Sequence, residues 1–283
     1  MMSSLAVLFH LLAFIVDFYA LYYDLNYIKI GTDGLGGKYK FLTIWNITFQ
    51  CFYFGLCVVT DLSSSEPGPT NVLTRGKLTR WRDNFHAVVA FPVGMFVVVT
   101  FWVLYLVDRE LVYPESLDKI IPPVINHILH TTVLPFILLD KYFIYHNHPS
   151  QWRGLSGTIA VAGCYLIWIL FIAYYENFWV YPILQVLESH QRAVFIVICL
   201  LFFASQYILG QSLTQFIWIH HAREQSGRSV CEVCTVHHAR EQPGCSVCKV
   251  CTVHHAREQS GRSACEVVGY VVANHTTMVG HPL

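Results

Sequence analysis

Asn84–Val107 reads NFHAVVAFPVGMFVVVTFWVLYLV, 24 residues without an Asp, Glu, Lys or Arg. A helix across a hydrocarbon core of about 30 Å needs about 20 such residues. A segment inside a bilayer has to satisfy its own backbone polar groups, and in windows of this length only a helix does so. Four further uncharged windows repeat the pattern: Phe41–Thr60 with 20 residues, Ile120–Leu139 with 20, Gly154–Tyr175 with 22 and Ala193–Ala222 with 30. A sixth, Leu5–Tyr23, is apolar except for His10 and Asp17. No Lys or Arg precedes Lys29, and this stretch runs too long for a secretory signal, so it reads as the first membrane helix. The expected fold is all-α, a polytopic bundle of six transmembrane helices.

The whole composition agrees. The 283 residues carry 18 Lys+Arg and 18 Asp+Glu, a formal net charge of zero. Hydrophobic residues make up 54% and charged residues 13%, about half the usual globular fraction of roughly 25%. Mean hydropathy is +0.46. A disordered chain and a nucleic-acid binder working through bulk charge are excluded. A soluble globule of this length has too little interior for so much apolar surface. Aromatics near the ends of the windows, among them Tyr22, Tyr27, Trp81, Tyr174 and Tyr175, form an interfacial belt.

Six crossings put both ends of the core on one side. That side holds 12 Lys+Arg against 6 on the other, which makes it cytoplasmic by the positive-inside rule; without the tail the counts are equal. The expected location is the endoplasmic reticulum or plasma membrane.

From Ile219 a 17-residue unit occurs three times: IHHAREQSGRSVCEVCT at Ile219, VHHAREQPGCSVCKVCT at Val236 and VHHAREQSGRSACEVVG at Val253. Six of the ten cysteines lie here. Cys231-x-x-Cys234 and Cys245-x-x-Cys248-x-x-Cys251 with three His-His pairs offer zinc-type ligands. The spacing argues against a site. No C-x-x-C pair is followed by H-x-x-x-H, and copy three replaces its second cysteine with Val268. The period fits no common solenoid. The repeat reads as a recent duplication or a frame artefact without structure of its own. The expected organisation is a core over 1–218, the repeat over 219–269 and a tail over 270–283. Asn274-His275-Thr276 is a glycosylation sequon that stays silent on a cytoplasmic tail.

Polar groups inside a membrane are costly and default to functional candidates. The fourth window, IIPPVINHILHTTVLPFILL from Ile120, is the richest. Pro122 and Pro123 suit a first turn. Asn126, His127 and His130 are spaced to share one helix face, with Thr131 beside them. Pro135 would loosen the helix and free a carbonyl. Thr43 opens the second helix on the side where the fourth begins, so Thr43 and His130 can meet in one leaflet. A hydroxyl beside an imidazole is the minimum for nucleophile and base. Asp17 and Asp61 are candidate orienters of an imidazole, although Asp61 also suits a helix cap or an interfacial pair with Arg82. Cys51, Cys57, Cys164 and Cys199 read as small apolar fillers. G-x-S-x-G, H-E-x-x-H and P-loop signatures are absent; Gly154-Leu155-Ser156-Gly157-Thr158 fails at its last position. A haem or metal redox protein using His10, His127 and His130 stays open, as does a non-catalytic membrane regulator or scaffold.

Several stretches resemble the androgen-induced gene 1 protein family, which includes the androgen-dependent regulator of tissue factor pathway inhibitor. They are KYKFLT (Lys38–Thr43), FGLCVVTDLSS (Phe54–Ser64), AFPVGMFVV (Ala90–Val98), DRELVYP (Asp108–Pro114) and LDKIIPPVINHILHTTVLPFIL (Leu117–Leu138). The likeness covers about residues 38–218 and leans to the androgen-induced gene 1 branch. It implies a six-helix membrane hydrolase of fatty acid esters of hydroxy fatty acids. The family's threonine nucleophile falls on Thr43 and its histidine base on His130. Asn126 is then a candidate oxyanion donor and His127 structural support. The implied partners are a lipid ester substrate and membrane lipids, with no nucleic acid, no cofactor and no metal. The repeat after Trp218 has no counterpart in the family and inherits no role from it.

Overall fold

A computed structural model describes the backbone of residues 2–63 and 76–238 and the side chains of residues 4–63 and 76–219. Among these residues the regular structure is helical throughout: α1 Met2–Tyr27, α2 Leu42–Ser63, α3 Lys77–Phe85, α4 Phe91–Asp108, α5 Pro123–His127, α6 Val133–Phe143, α7 Gln151–Glu176, α8 Pro182–Val186 and α9 Ser189–His238. Two five-residue π-helical segments interrupt otherwise continuous rods. His86–Ala90 joins α3 to α4, and Ile128–Thr132 joins α5 to α6. Counting each joined rod once, six helices are long and apolar enough to cross a membrane: Ser4–Tyr27, Leu42–Ser63, Lys77–Leu111, Pro123–Phe143, Gln151–Glu176 and Ser189–Ile219. The protein is an all-α membrane protein of the expected kind.

The chain divides into two units, Met1–Trp218 and Ile219–Leu283. The backbone of the first repeat copy lies within α9. The Cys and His side chains of the repeat, the 270–283 tail and the sequon at Asn274 lie outside the described residues.

The core helices are amphipathic in the reverse sense of a soluble bundle. On α1, the buried stripe is Ala6, His10, Ala13, Asp17, Ala20 and Asp24, stepping by three or four residues. Leu5, Leu8, Leu12, Ile15 and Phe18 face outward, each more than half exposed. On α2 the buried stripe includes Asn46, Gln50, Tyr53, Cys57 and Thr60, while Phe52, Val59 and Leu62 face out. With lipid as solvent, apolar side chains gain nothing by turning inward; close backbone approach through small residues and satisfied polar groups hold the helices together. Ala13 packs with Tyr53, Phe54, Cys57 and Ala90 in one such contact.

The sequence placed Asp61 at a cap or beside Arg82. Instead its Oδ2 lies 2.6 Å from His10 Nδ1. Asp17 is fully buried and neither carboxylate oxygen has a hydrogen-bond partner. Neither carboxylate orients His130. The four core cysteines are unpaired; Cys51 and Cys57 are buried, whereas Cys164 is exposed.

Candidate active site

Thr43 owes its position to the loop before it. Gly36 adopts φ 77°, and a side chain there would stand where the Trp168 ring lies. The chain then makes a short 3-10 turn over Gly37–Lys40. Lys38 is buried, its Nζ 2.6 Å from Asp24 Oδ1 at the end of α1. Trp45 and Trp168 both donate their indole N–H to the Tyr39 carbonyl, at 2.7 and 2.9 Å. Tyr165 donates to the Lys40 carbonyl at 2.9 Å, and the Leu42 amide donates to Tyr181 Oη at 2.9 Å. The two phenols share a hydrogen bond of 2.8 Å. Burial pushes the Tyr181 hydroxyl above its ordinary value, so it stays neutral there. α7 and the segment after it thus clamp the first turn of α2.

The first N–H groups of a helix have no intrahelical acceptor. The Leu42 amide is taken by Tyr181, and the Ile44 and Trp45 amides point to the Phe41 carbonyl. The Thr43 amide lies between them, next to its own hydroxyl.

His130 lies in the π segment of the fourth span. Its Nε2 is 3.2 Å from Thr43 Oγ1, across 87 residues of sequence. Its Nδ1 is 2.8 Å from Asn126 Oδ1 and 3.2 Å from the Asn126 carbonyl. Both of those atoms are acceptors, so Nδ1 carries the proton and Nε2 presents a lone pair to the threonine hydroxyl. The ring stacks on Phe101 of α4, centroids 3.7 Å apart and planes 12° from parallel. Pro135 has no N–H to give back along the helix, and the His130 carbonyl five residues earlier accepts from Trp102 Nε1 at 2.8 Å. The widened turn and its freed carbonyl are therefore tied to the proline, and π segments recur at functional sites.

Asn126 keeps its amide N–H groups for the expected donor role, and its Oδ1 in addition holds the imidazole. One expectation changes here. His127 does not share the His130 face. It is exposed, stacks on Trp102 and has Nδ1 3.1 Å from Thr131 Oγ1. The wider π turn that starts at Ile128 rotates His130 away from it. His10 lies on α1 against Asp61 and Asp140, so the structure does not gather His10, His127 and His130 at one centre.

Thr43 also lines a cavity between α2, α4, α7 and α9 with about 1020 Å³ of empty space, its mouth included. The walls are almost wholly apolar, built from residues such as Phe96, Phe101, Leu166, Ile196 and Phe203. Phe101, which stacks on the His130 ring, lines the cavity beside Thr43.

The model of the FAR-17a/AIG1-like protein family matches residues 5–215. The chain is 40% identical to the human androgen-induced gene 1 protein over 194 residues, 65% of this chain and 79% of that protein. It is 33% identical to the human androgen-dependent TFPI-regulating protein over 183 residues, 65% of this chain and 78% of that one. The mouse protein of the same name is 32% identical over 190 residues, 67% and 81% of the two chains. No solved structure matches. The match spans all six membrane helices and ends before the repeat, and the chain belongs to the FAR-17a/AIG1-like family of membrane proteins.

Proposed function

We propose that the protein is an intramembrane hydrolase of fatty acid esters of hydroxy fatty acids, with Thr43 as nucleophile and His130 as general base. The observation that carries this reading is the 3.2 Å contact between Thr43 Oγ1 and the lone-pair nitrogen of His130, placed on the wall of an apolar cavity. The cavity suits acyl chains, and a two-chain lipid ester partitions into the bilayer where the cavity lies.

His130 Nε2 takes the Thr43 proton as Oγ1 bonds to the ester carbonyl carbon. Negative charge gathers on the carbonyl oxygen, within reach of the Thr43 amide at the positive end of α2. Collapse of this intermediate breaks the ester C–O bond, and the imidazolium hands its proton to the departing hydroxy fatty acid. Water then adds to the acyl-threonine with His130 again taking a proton. The second collapse frees the fatty acid and restores the threonine hydroxyl. Asn126 keeps the base in the productive tautomer throughout.

The test is hydrolysis of a branched fatty acyl hydroxy fatty acid by membranes carrying the wild type, Thr43→Ala or His130→Ala. Each variant should lose at least about 100-fold in rate, the usual weight of a positioned base or nucleophile. Full activity in either removes that residue from the mechanism. A fluorophosphonate probe should label wild type and spare Thr43→Ala; failure to label the wild type favours a non-catalytic role in the membrane. The same reading places the protein in the endoplasmic reticulum or plasma membrane with both ends of the core in the cytoplasm.

A further inference from the structure

A second polar cluster lies toward the opposite membrane face from Thr43. Asp140 follows His130 by ten residues, which is about 15 Å along a helix. It is fully buried, and three groups converge on its Oδ2: Tyr53 Oη at 2.5 Å, His146 Nε2 at 2.8 Å and His86 Nε2 at 3.6 Å. His86 comes from the π segment of the third span, Asp140 from the end of α6 and His146 from the loop after it. All three are fully buried. The His86 ring has no hydrogen-bond partner at either nitrogen, and an unmet polar atom is costly in a buried place.

His146 is prepared as a ligand. Its Nδ1 lies 3.2 Å from Asp83 Oδ1, and Asp83 is held in turn by Arg82 at 2.9 Å and by the Asn147 amide at 3.2 Å. Carboxylates face both ring nitrogens, Asp83 at Nδ1 and Asp140 at Nε2, so Asp83 can keep the Nδ1 proton while Nε2 gives its own up to a metal. This is the outer arrangement that supports metal-bound imidazoles. A metal bound beside both atoms would take the place of the proton now shared across their 2.8 Å contact. The Nε2 atoms of both histidines and a carboxylate oxygen of Asp140 lie within 4.8 Å of one another.

We propose that His86, Asp140 and His146 bind a structural divalent first-row transition metal, zinc by donor type, with the neutral phenol Oη of Tyr53 as the fourth ligand. Nitrogen and carboxylate donors suit zinc, and a closed four-ligand set without a water position is the structural form. The ion bonds to Nε2 of each histidine, to Asp140 Oδ2 and to Tyr53 Oη, and any proton shared between His146 and Asp140 leaves as it binds. The imidazole planes, now 8° from parallel at 4.1 Å, turn toward the ion about their ring torsions. The site ties the third span to the fourth and to the loop that leads into the fifth. No ligand spacing marks it in the sequence, since positions 86, 140 and 146 belong to separate segments.

The test uses the full chain purified in detergent, stripped with chelator and supplied with zinc or with cobalt(II). Wild type should hold about one equivalent that survives gel filtration, and reloading should raise the melting temperature of the stripped protein. Cobalt should give tetrahedral d–d bands without thiolate charge transfer. His86→Ala should lose that equivalent and the zinc-dependent melting shift. Asp83→Asn should bind about 10–100-fold more weakly, as loss of a supporting carboxylate does. Variants that aggregate are replaced by the wild-type strip-and-reload arm, which decides by itself. Monodisperse wild type that takes up no metal and shows no shift overturns the site, and the gap then belongs to a proton. Equal metal in wild type and His86→Ala, or thiolate bands in the cobalt spectrum, also overturns it by placing the ion on the repeat.

Discussion

In the proposed mechanism Asn126 is the residue that orients the base, His130. Its side-chain oxygen and its backbone carbonyl both hold the proton on Nδ1, and removal of the side chain leaves only the longer 3.2 Å acceptor. Asn126→Leu should lower kcat at least about tenfold while Thr43→Ser, which keeps the hydroxyl, retains measurable activity; steady-state rates in matched membranes check both. His127→Ala should change the rate less than about threefold, in line with the ~0.5 kcal/mol typical of exposed positions. Activity should fall on the acid side, because a protonated His130 cannot accept the Thr43 proton; a pH–rate profile on intact membranes tests the sign. The sequence and its family likeness singled out Thr43 and His130 correctly as neighbours. The role of Asn126 was legible only as proximity. A 3.6-residue projection puts Asn126, His127 and His130 on one face, and nothing local announces the π turn that separates His127 from the other two.

At the scale of elements, α1 and α2 meet through small and polar side chains. Ala13 is fully buried against Tyr53, Phe54 and Cys57, so Ala13→Leu should overpack the contact and destabilise the protein by about 1–3 kcal/mol, whereas Leu8→Ala on the lipid face should leave the melting temperature near wild type. Thermal unfolding in one detergent compares the two. The six spans were readable because the absence of charge over 20 or more residues is a one-dimensional property. The partners of the buried polar groups were not. Asp61 lies 51 residues from His10, and Asp140 lies 130 residues from it, so their pairing follows from the order in which helices pack. His10 was visible as an anomaly in an apolar window, whereas Asp61, Asp140 and Lys141 fall just outside the windows and their grouping needed the fold.

For the molecule as a whole, six crossings require both ends of the Met1–Trp218 core to emerge on one face. Tags before Leu5 and after Trp218 should respond alike to an impermeant reagent in sealed vesicles, and opposite responses would break the six-span topology. The cavity beside Thr43 has apolar walls, so under the proposed function its ester would reach it from the membrane. The concentration it senses is then two-dimensional. Adding inert phospholipid at constant total ester dilutes the substrate in its own plane, and below saturation the rate should fall in proportion to the ester's mole fraction. Doubling the aqueous volume around the same vesicles should leave each vesicle's turnover unchanged.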